Sequence, residues 1–410
     1  MPDTLRVLHL STWNVPCGIA SYCANLVKSL DAAGVMNDVF PLHPHEWQSY
    51  LPGDVRQFME RVRIKARDYD LVHIQHEHGL FGQGMGMSFT IKRFGEVLDI
   101  LKQENKPVVT TFHTELRAGS RRLPHYLQKA KDWLRTWKWR RHVVRHFNET
   151  NGHARAIVHT AKTRFIFARS GIDPAAIHMV PHGCLPKREL DLDNKTAKEK
   201  LGIPPTASLL TIFGFVGAYK GHDIALEALK RLPEKYHLAI VGGAHPESRD
   251  HFLDDLLTKI GKKLRPRVTV TGYVERETAD LYYAATDICL APYRADVNLS
   301  ASGAIMWALS SGKPTIASKI DAFEPTRREA DCFMSVTAGL ARELAWAVEK
   351  LDGDKPLQQK LVTNALRYNE QHSWPKTALA HVEIYEQILG RTARRTAGDH
   401  ECDLALPRAA

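Results

Sequence analysis

The sequence is poor in cysteine: there are six, at 17, 23, 184, 289, 332 and 402, and no two form a CxxC pair. So sparse a set builds no disulfide scaffold and points to reduced thiols in a cytoplasm. Nowhere does an uncharged apolar run reach the roughly 18 residues that mark a membrane-crossing helix. Low-complexity tracts are missing, and so is the GxGxxG fingerprint of a dinucleotide site. The opening LRVLHLS reads as a strand rather than a secretory leader. These absences favour a cytoplasmic protein, attached at most peripherally to the inner face of the membrane.

What is present sets the scale. The 410 residues exceed what one ordinary core serves, so two domains are expected, and 44% hydrophobic residues suffice for a core in each. The formal net charge of +10 favours an anionic partner. An acidic membrane face or a phosphorylated substrate fits that charge. No recognised nucleic-acid-binding fold accompanies the basic residues, so nucleic acid is not an expected partner.

Short β-branched runs alternate with amphipathic segments, the pattern of parallel α/β layers. A first set comprises LRVLHLS (5–11), DLVHIQ (70–75), PVVTTFH (107–113), AIVHT (156–160) and IHMVPHG (177–183). A polar stretch with several prolines follows over 184–208. The pattern then restarts with LLTIFGF (209–215), HLAIVGG (237–243), VTVTGYV (268–274), DICLAPY (287–293) and PTIAS (314–318). The expected fold is therefore two Rossmann-like α/β domains, 1–190 and 191–368. Two such sheets invite a ligand into the cleft at the carboxyl ends of their strands. Residues 391–410 lack periodicity and read as a loose tail.

Three turns after strand ends carry the chemistry. PCGIASY places Gly18 at the start of an amphipathic helix, where backbone N–H groups and a positive dipole end suit a phosphate. GFVGAYKG repeats the strand, Gly-rich turn and helix, with Lys220 at the turn. LSASGAIMWALSSGKP puts Ser300, Ala301, Ser302 and Gly303 before an apolar helix, with Arg294 close enough in sequence to add charge. A plain βα turn, a solvated lysine and an N-cap are the bland alternatives. Three such turns on one cleft favour a diphosphate ligand.

HIQHEHGLFGQG gathers His73, His76, Glu77 and His78, yet alternate residues of a strand face opposite sides, so His73 and His76 share no face. With no HExxH helix and no cysteine partner, no metal site is expected. His76, Glu77 and His78 are expected past the strand end, lining an acceptor pocket, and Glu77 and Glu115 are candidate acceptor contacts or bases. Residues 123–150 form the local basic concentration, with Leu127, Ala130, Trp133, Leu134, Trp137, Val144 and Phe147 at helical spacing. A core helix with a solvated basic face is the preferred reading. The sharper one is a surface helix that meets anionic lipid through its Lys, Arg and Trp.

The order of PCGIASY, VVTTFHTE, the IVHT-to-VPHG segment, FGFVGAYKG, LAIVGG, VTVTGYVERETADLYYAATDICLAPYR and SGKPTIAS resembles the retaining GT-B glycosyltransferases of the glycogen-synthase-like family, family four. HSWPKTALAHVEIYEQIL resembles that family's helix, here 369–390, which crosses back to the N-terminal domain. The resemblance spans roughly residues 5–390. It implies a UDP- or GDP-sugar donor held mainly by the C-terminal domain, as a substrate and without a cofactor or metal. Gly18 would lie over the pyrophosphate and Lys220 would neutralise it. Val274 would offer backbone to the base, Gly243 would belong to the donor site, Ser300, Ser302 and Gly303 would hold the phosphate and sugar, and His113, with Lys220 a catalytic residue in this reading, would meet the sugar and acceptor.

Departures temper this. Leu299 and Trp307 stand where the family usually carries two glutamates, one near the donor sugar and one on the ribose, and Gly217 replaces an arginine that pairs with the phosphate lysine. The expected activity is transfer of a hexose, with retention, to a glycan, lipid-linked or small-molecule acceptor. The rivals are a non-catalytic nucleotide-sugar-binding or scaffold protein on the same fold and a sugar-nucleotide epimerase.

Overall fold

The structure is a computed structural model; it describes residues 4–43, 51–82, 86–114, 133–149, 153–187, 192–244, 251–295 and 299–391. Among the described residues, twelve strands divide into two parallel sheets. The first contains β1 (Arg6–Ser11), β2 (Met36–Pro41), β3 (Leu71–His76), β4 (Val108–Phe112), β5 (Ala154–Val158) and β6 (Ile177–Met179), in the order β2-β1-β3-β4-β5-β6. The second contains β7 (Ser208–Phe213), β8 (Tyr236–Val241), β9 (Val268–Val270), β10 (Ile288–Ala291), β11 (Thr315–Ser318) and β12 (Met334–Val336), in the order β12-β11-β10-β7-β8-β9. Strand order reverses beside β1 in one sheet and beside β7 in the other, and both strands end on the cleft.

Composition explains which strands are central. β3 and β4 are buried at every position, because helices cover both faces of a parallel sheet, although β3 (LVHIQH) sets His73, Gln75 and His76 among its apolar residues. β2 and β12 are edge strands with half-exposed polar positions, Asn37 and Asp38 in one and Ser335 in the other. Each sheet has its own core: Phe58, Phe94 and Phe112 in the first, Leu229, Ile240 and Val348 in the second.

The chain passes between domains twice, and the two passages touch. Cys184 N–H donates to the His372 carbonyl at 2.7 Å, and Trp374 N–H to the Cys184 carbonyl at 3.2 Å. The helix Lys355–Gln371 packs on the C-terminal domain, whereas Trp374–Ile388 packs on the first helix, Gly18–Ala32. Trp374, Ala378, Ile384 and Tyr385 complete a core with Val7, Tyr22 and Leu26. A Cβ at Gly183 would fall 2.4 Å from the Trp374 ring, so glycine permits this docking.

Candidate functional site

A cavity of about 1190 Å³ opens between the domains, lined from both sides at the strand ends. Its positive features come from two helix starts and one lysine. The helix Gly18–Ala32 begins without a side-chain cap or an acidic residue in its first turn, and Gly18, Ile19 and Ala20 line the cavity. The helix Gly303–Ser310 likewise has no side-chain cap; its Ser302 hydroxyl is engaged instead with the Tyr293 hydroxyl, 3.0 Å away. Both helices leave N–H groups available to an anion.

Lys220 lies in the turn after β7. It is buried, and among the described residues no carboxylate pairs with it, so burial alone lowers its pKa to about 8. Gly214, at φ 94°, makes room beside it: a Cβ there would stand 2.8 Å from the ammonium Nζ and 3.9 Å from Ala304. The ammonium thus sits next to the amide end of the helix Gly303–Ser310. A buried charge without a counter-charge is costly, and an arriving anion relieves that cost.

The opposite wall is histidine-rich, and burial keeps those histidines neutral. His113 follows β4 and lines the cavity, with Nε2 2.9 Å from Gln75 Oε1, which assigns the proton to Nε2. Burial holds its pKa well below the usual imidazole range. His182 bonds through Nδ1 to the Gly183 carbonyl at 2.8 Å, and burial pushes its pKa down to about 3. The Tyr22 ring packs edge-on against His113, His182 and Trp374, at 4.7, 5.1 and 4.9 Å between centroids.

Of the residues singled out from sequence, Gly18, Glu77, His113, Lys220, Gly243, Val274, Ser302 and Gly303 meet at this cavity. Four others stand elsewhere. Arg294, expected to add charge at the phosphate, turns its guanidinium to the Ala218 carbonyl at 3.0 Å and to Asp223, and so braces the Lys220 turn from behind. Ser300 is buried outside the cavity lining, and its hydroxyl and N–H reach the Phe112 and His113 carbonyls of the other domain. His76 closes β3 rather than following it, and its ring lies among Phe81, Phe94 and Phe112 in the core. His78, in the 3₁₀ turn His78–Phe81, packs edge-on against the His76 ring and is absent from the lining. Glu115 falls outside the described residues.

Glu77 accepts the Gly79 N–H at 2.6 Å while reaching the cavity. His73 faces away from His76, its ring nitrogens bonded to Thr111 at 2.8 Å and to the Tyr385 hydroxyl at 2.7 Å. Among the described residues no three His, Cys, Asp or Glu side chains gather as a metal site. Sequence reasoning missed Tyr22, His182, Tyr283 and Trp374, whose signals are those of ordinary core residues.

Residues 209–354 match the family of glycosyl transferases group 1. A D-inositol 3-phosphate glycosyltransferase of Xylanimonas cellulosilytica is 29% identical over 234 residues, 55% of this chain and 54% of that protein. The same-named protein of Streptomyces bingchenggensis is 27% identical over 56% of this chain and 51% of its own. The chain thus spans about half the length of the curated relatives it matches. Among solved structures, the sucrose-phosphate synthase of Thermosynechococcus elongatus superposes with a TM-score of 0.70 at 19% identity, covering 94% of this chain and 99% of the other. HepE of Anabaena, solved with UDP, gives 0.68 at 17% identity, covering 93% and 100%. These likenesses identify the fold as GT-B.

Proposed function

On the premise that residues 209–354 form a glycosyl transferases group 1 domain, we propose that the protein transfers a hexose from a UDP- or GDP-sugar to a glycan, lipid-linked or small-molecule acceptor with retention of configuration. The observation that carries this reading is the buried Lys220 ammonium, unmatched by any carboxylate among the described residues and next to a helix amide end. HepE has been solved with UDP and with UDP-glucose, and that supports a uridine donor.

The chemistry follows from where charge develops. As the bond between the sugar's anomeric carbon and the diphosphate oxygen breaks, negative charge grows on the departing nucleoside diphosphate. Lys220 and the preoriented amides stabilise that charge more than they stabilise the intact donor, which is the condition for catalysis. The acceptor oxygen enters on the face the diphosphate leaves and passes its proton to the departing phosphate oxygen. That route retains configuration and needs no carboxylate at Leu299. Neutral His113, oriented by Gln75, offers a hydrogen-bonding ring to the sugar from the N-terminal domain.

Exposed Trp133, Leu134 and Trp137, with Arg141 5.3 Å over the Trp137 ring, favour contact with an anionic lipid surface. The residues 123–132 and 150 of that basic segment lie outside the described structure.

The test is turnover. Purified protein is incubated with a panel of sugar nucleotides and with glycan, polyol-phosphate and lipid-linked acceptors, and released UDP or GDP is measured. Acceptor-dependent release is expected. Tight donor binding without release under every acceptor would make the protein a binder or scaffold, and interconversion of free UDP-sugars would make it an epimerase.

A further inference from the structure

We propose that Gln75, His73 and Tyr385 form a relay of hydrogen bonds that fixes His113 as the tautomer protonated on Nε2, leaving Nδ1 as the acceptor it offers to a substrate hydroxyl in the cleft. In this role the three are positioning residues that act through His113. The substrate hydroxyl rests on the nucleotide-sugar reading above; the relay itself does not.

His73 and Gln75 are two residues apart in β3, so they share one face of the sheet, opposite to that of His76. Gln75 stands in register with Thr111 of β4, and His113 follows Thr111 by two residues on the same face. The ladder reaches that far, since His113 N–H donates to the His76 carbonyl at 3.0 Å. Val7, Leu71, Val109 and Ile157 on this face pack beneath Trp374, Ile384 and Tyr385 of the returning helix. His73, Gln75 and Thr111 are fully buried, in a layer where polar groups persist only when paired.

The pairing follows from the two unlike ends of an amide. Gln75 Oε1 can only accept, and it takes the His113 Nε2–H at 2.9 Å. The amide nitrogen can only donate, and it faces His73 Nε2 at 3.4 Å. The Thr111 hydroxyl reaches the same His73 nitrogen at 2.8 Å. A nitrogen that accepts these bonds carries no proton, so His73 is protonated on Nδ1 and donates there to the Tyr385 hydroxyl at 2.7 Å. Burial holds both imidazoles well below their usual pKa range, so each ring has one proton and one lone pair. Turning the Gln75 amide over would require both histidines to exchange nitrogens together, which couples His113 to the returning helix. His113 lines the cavity, and its Nδ1 has no hydrogen-bond partner among the described residues. The Tyr22 ring, edge-on at 4.7 Å and 78°, holds the plane of the imidazole.

Imidazole nitrogen NMR of the full chain, with His113 assigned through His113→Asn, reads the tautomer directly and needs no nucleotide. At neutral pH the His113 proton is expected on Nε2. Gln75→Leu should shift the ratio of Nε2- to Nδ1-protonated His113 by about tenfold or more towards Nδ1. Tyr385→Phe should shift it the same way by about threefold or more, although its hydroxyl bonds to His73 and not to His113. A proton on Nδ1 of His113 in the unaltered protein would overturn the proposal, and so would an unchanged ratio in folded Tyr385→Phe. In the turnover assay Gln75→Leu should lower kcat about tenfold while UDP affinity stays within about twofold. Unchanged kcat in that variant would overturn the role given to Nδ1. No turnover with any donor would overturn the nucleotide-sugar reading, while the spectra still decide the relay.

Discussion

Lys220 has a function and a stability that pull in opposite directions. Its folded pKa, about 8, lies below the ordinary 10.5, so the unfolded chain binds the proton more tightly. The burial cost is therefore full below about 8 and disappears as pH rises to 10.5. Lys220→Met removes that cost: its melting temperature is expected to rise by a few degrees at pH 7, and the gain to vanish above pH 10.5. The same variant loses a charge-assisted contact of about 1.5–3 kcal/mol and should bind UDP about 10- to 100-fold more weakly. In the unaltered protein, UDP affinity should fall as pH climbs past about 8, where the free ammonium loses its proton. Thermal melts and titrations across pH check each sign. That Lys220, Gly18, Ser302 and Gly303 line one cleft was legible in the sequence because a strand end, a glycine turn and a helix start are local signals. Arg294 was not, because its carboxylate partner Asp223 lies 71 residues away. Ser300 was not, because its acceptor is the Phe112 carbonyl, 188 residues away in the other domain.

The elements show the same division between local and distant information. Ten of the twelve strands lie within the runs read from sequence or shift by a residue or two, since central parallel strands are short apolar runs bounded by turns. The two missed, β2 and β12, are edges: MNDVFP and MSV are too polar or too short to stand out, and pairing with β1 and β11 makes them strands. Helical spacing grouped Trp133, Leu134 and Trp137 with Val144 and Phe147. The structure separates them, with a π-turn at Arg140–Val144; Trp139, Val143, Val144 and Phe147 are buried and the first three exposed. If the exposed set meets lipid, the protein should co-float with anionic vesicles at low salt, and Trp133→Ala with Trp137→Ala should abolish this. Failure of the unaltered protein to float leaves only the core-helix role. The returning helix Trp374–Ile388 is a stability element. Trp374→Ala vacates the space against Gly183, Tyr22 and His182, and should cost about 3–5 kcal/mol, read as a lower denaturant midpoint.

At the scale of the whole molecule, the site exists only because two sheets present their strand ends to one another. The C-terminal domain supplies Lys220 and the Gly303 amides, while the N-terminal domain adds the Gly18 helix and His113. The two-domain plan was legible because the strand pattern restarts after the polar stretch at 184–208. The contacts between distant segments, such as Ser300 with Phe112 across the cleft and Tyr22 with Trp374 in the N-terminal core, follow from packing that no single segment encodes. Titration calorimetry of UDP and GDP into the full chain and into Lys220→Met tests the central claim most directly. The account predicts saturable one-to-one binding of at least one nucleotide to the unaltered protein and a loss of about 10- to 100-fold in the variant. No binding of either nucleotide, or equal affinity in both proteins, would contradict it.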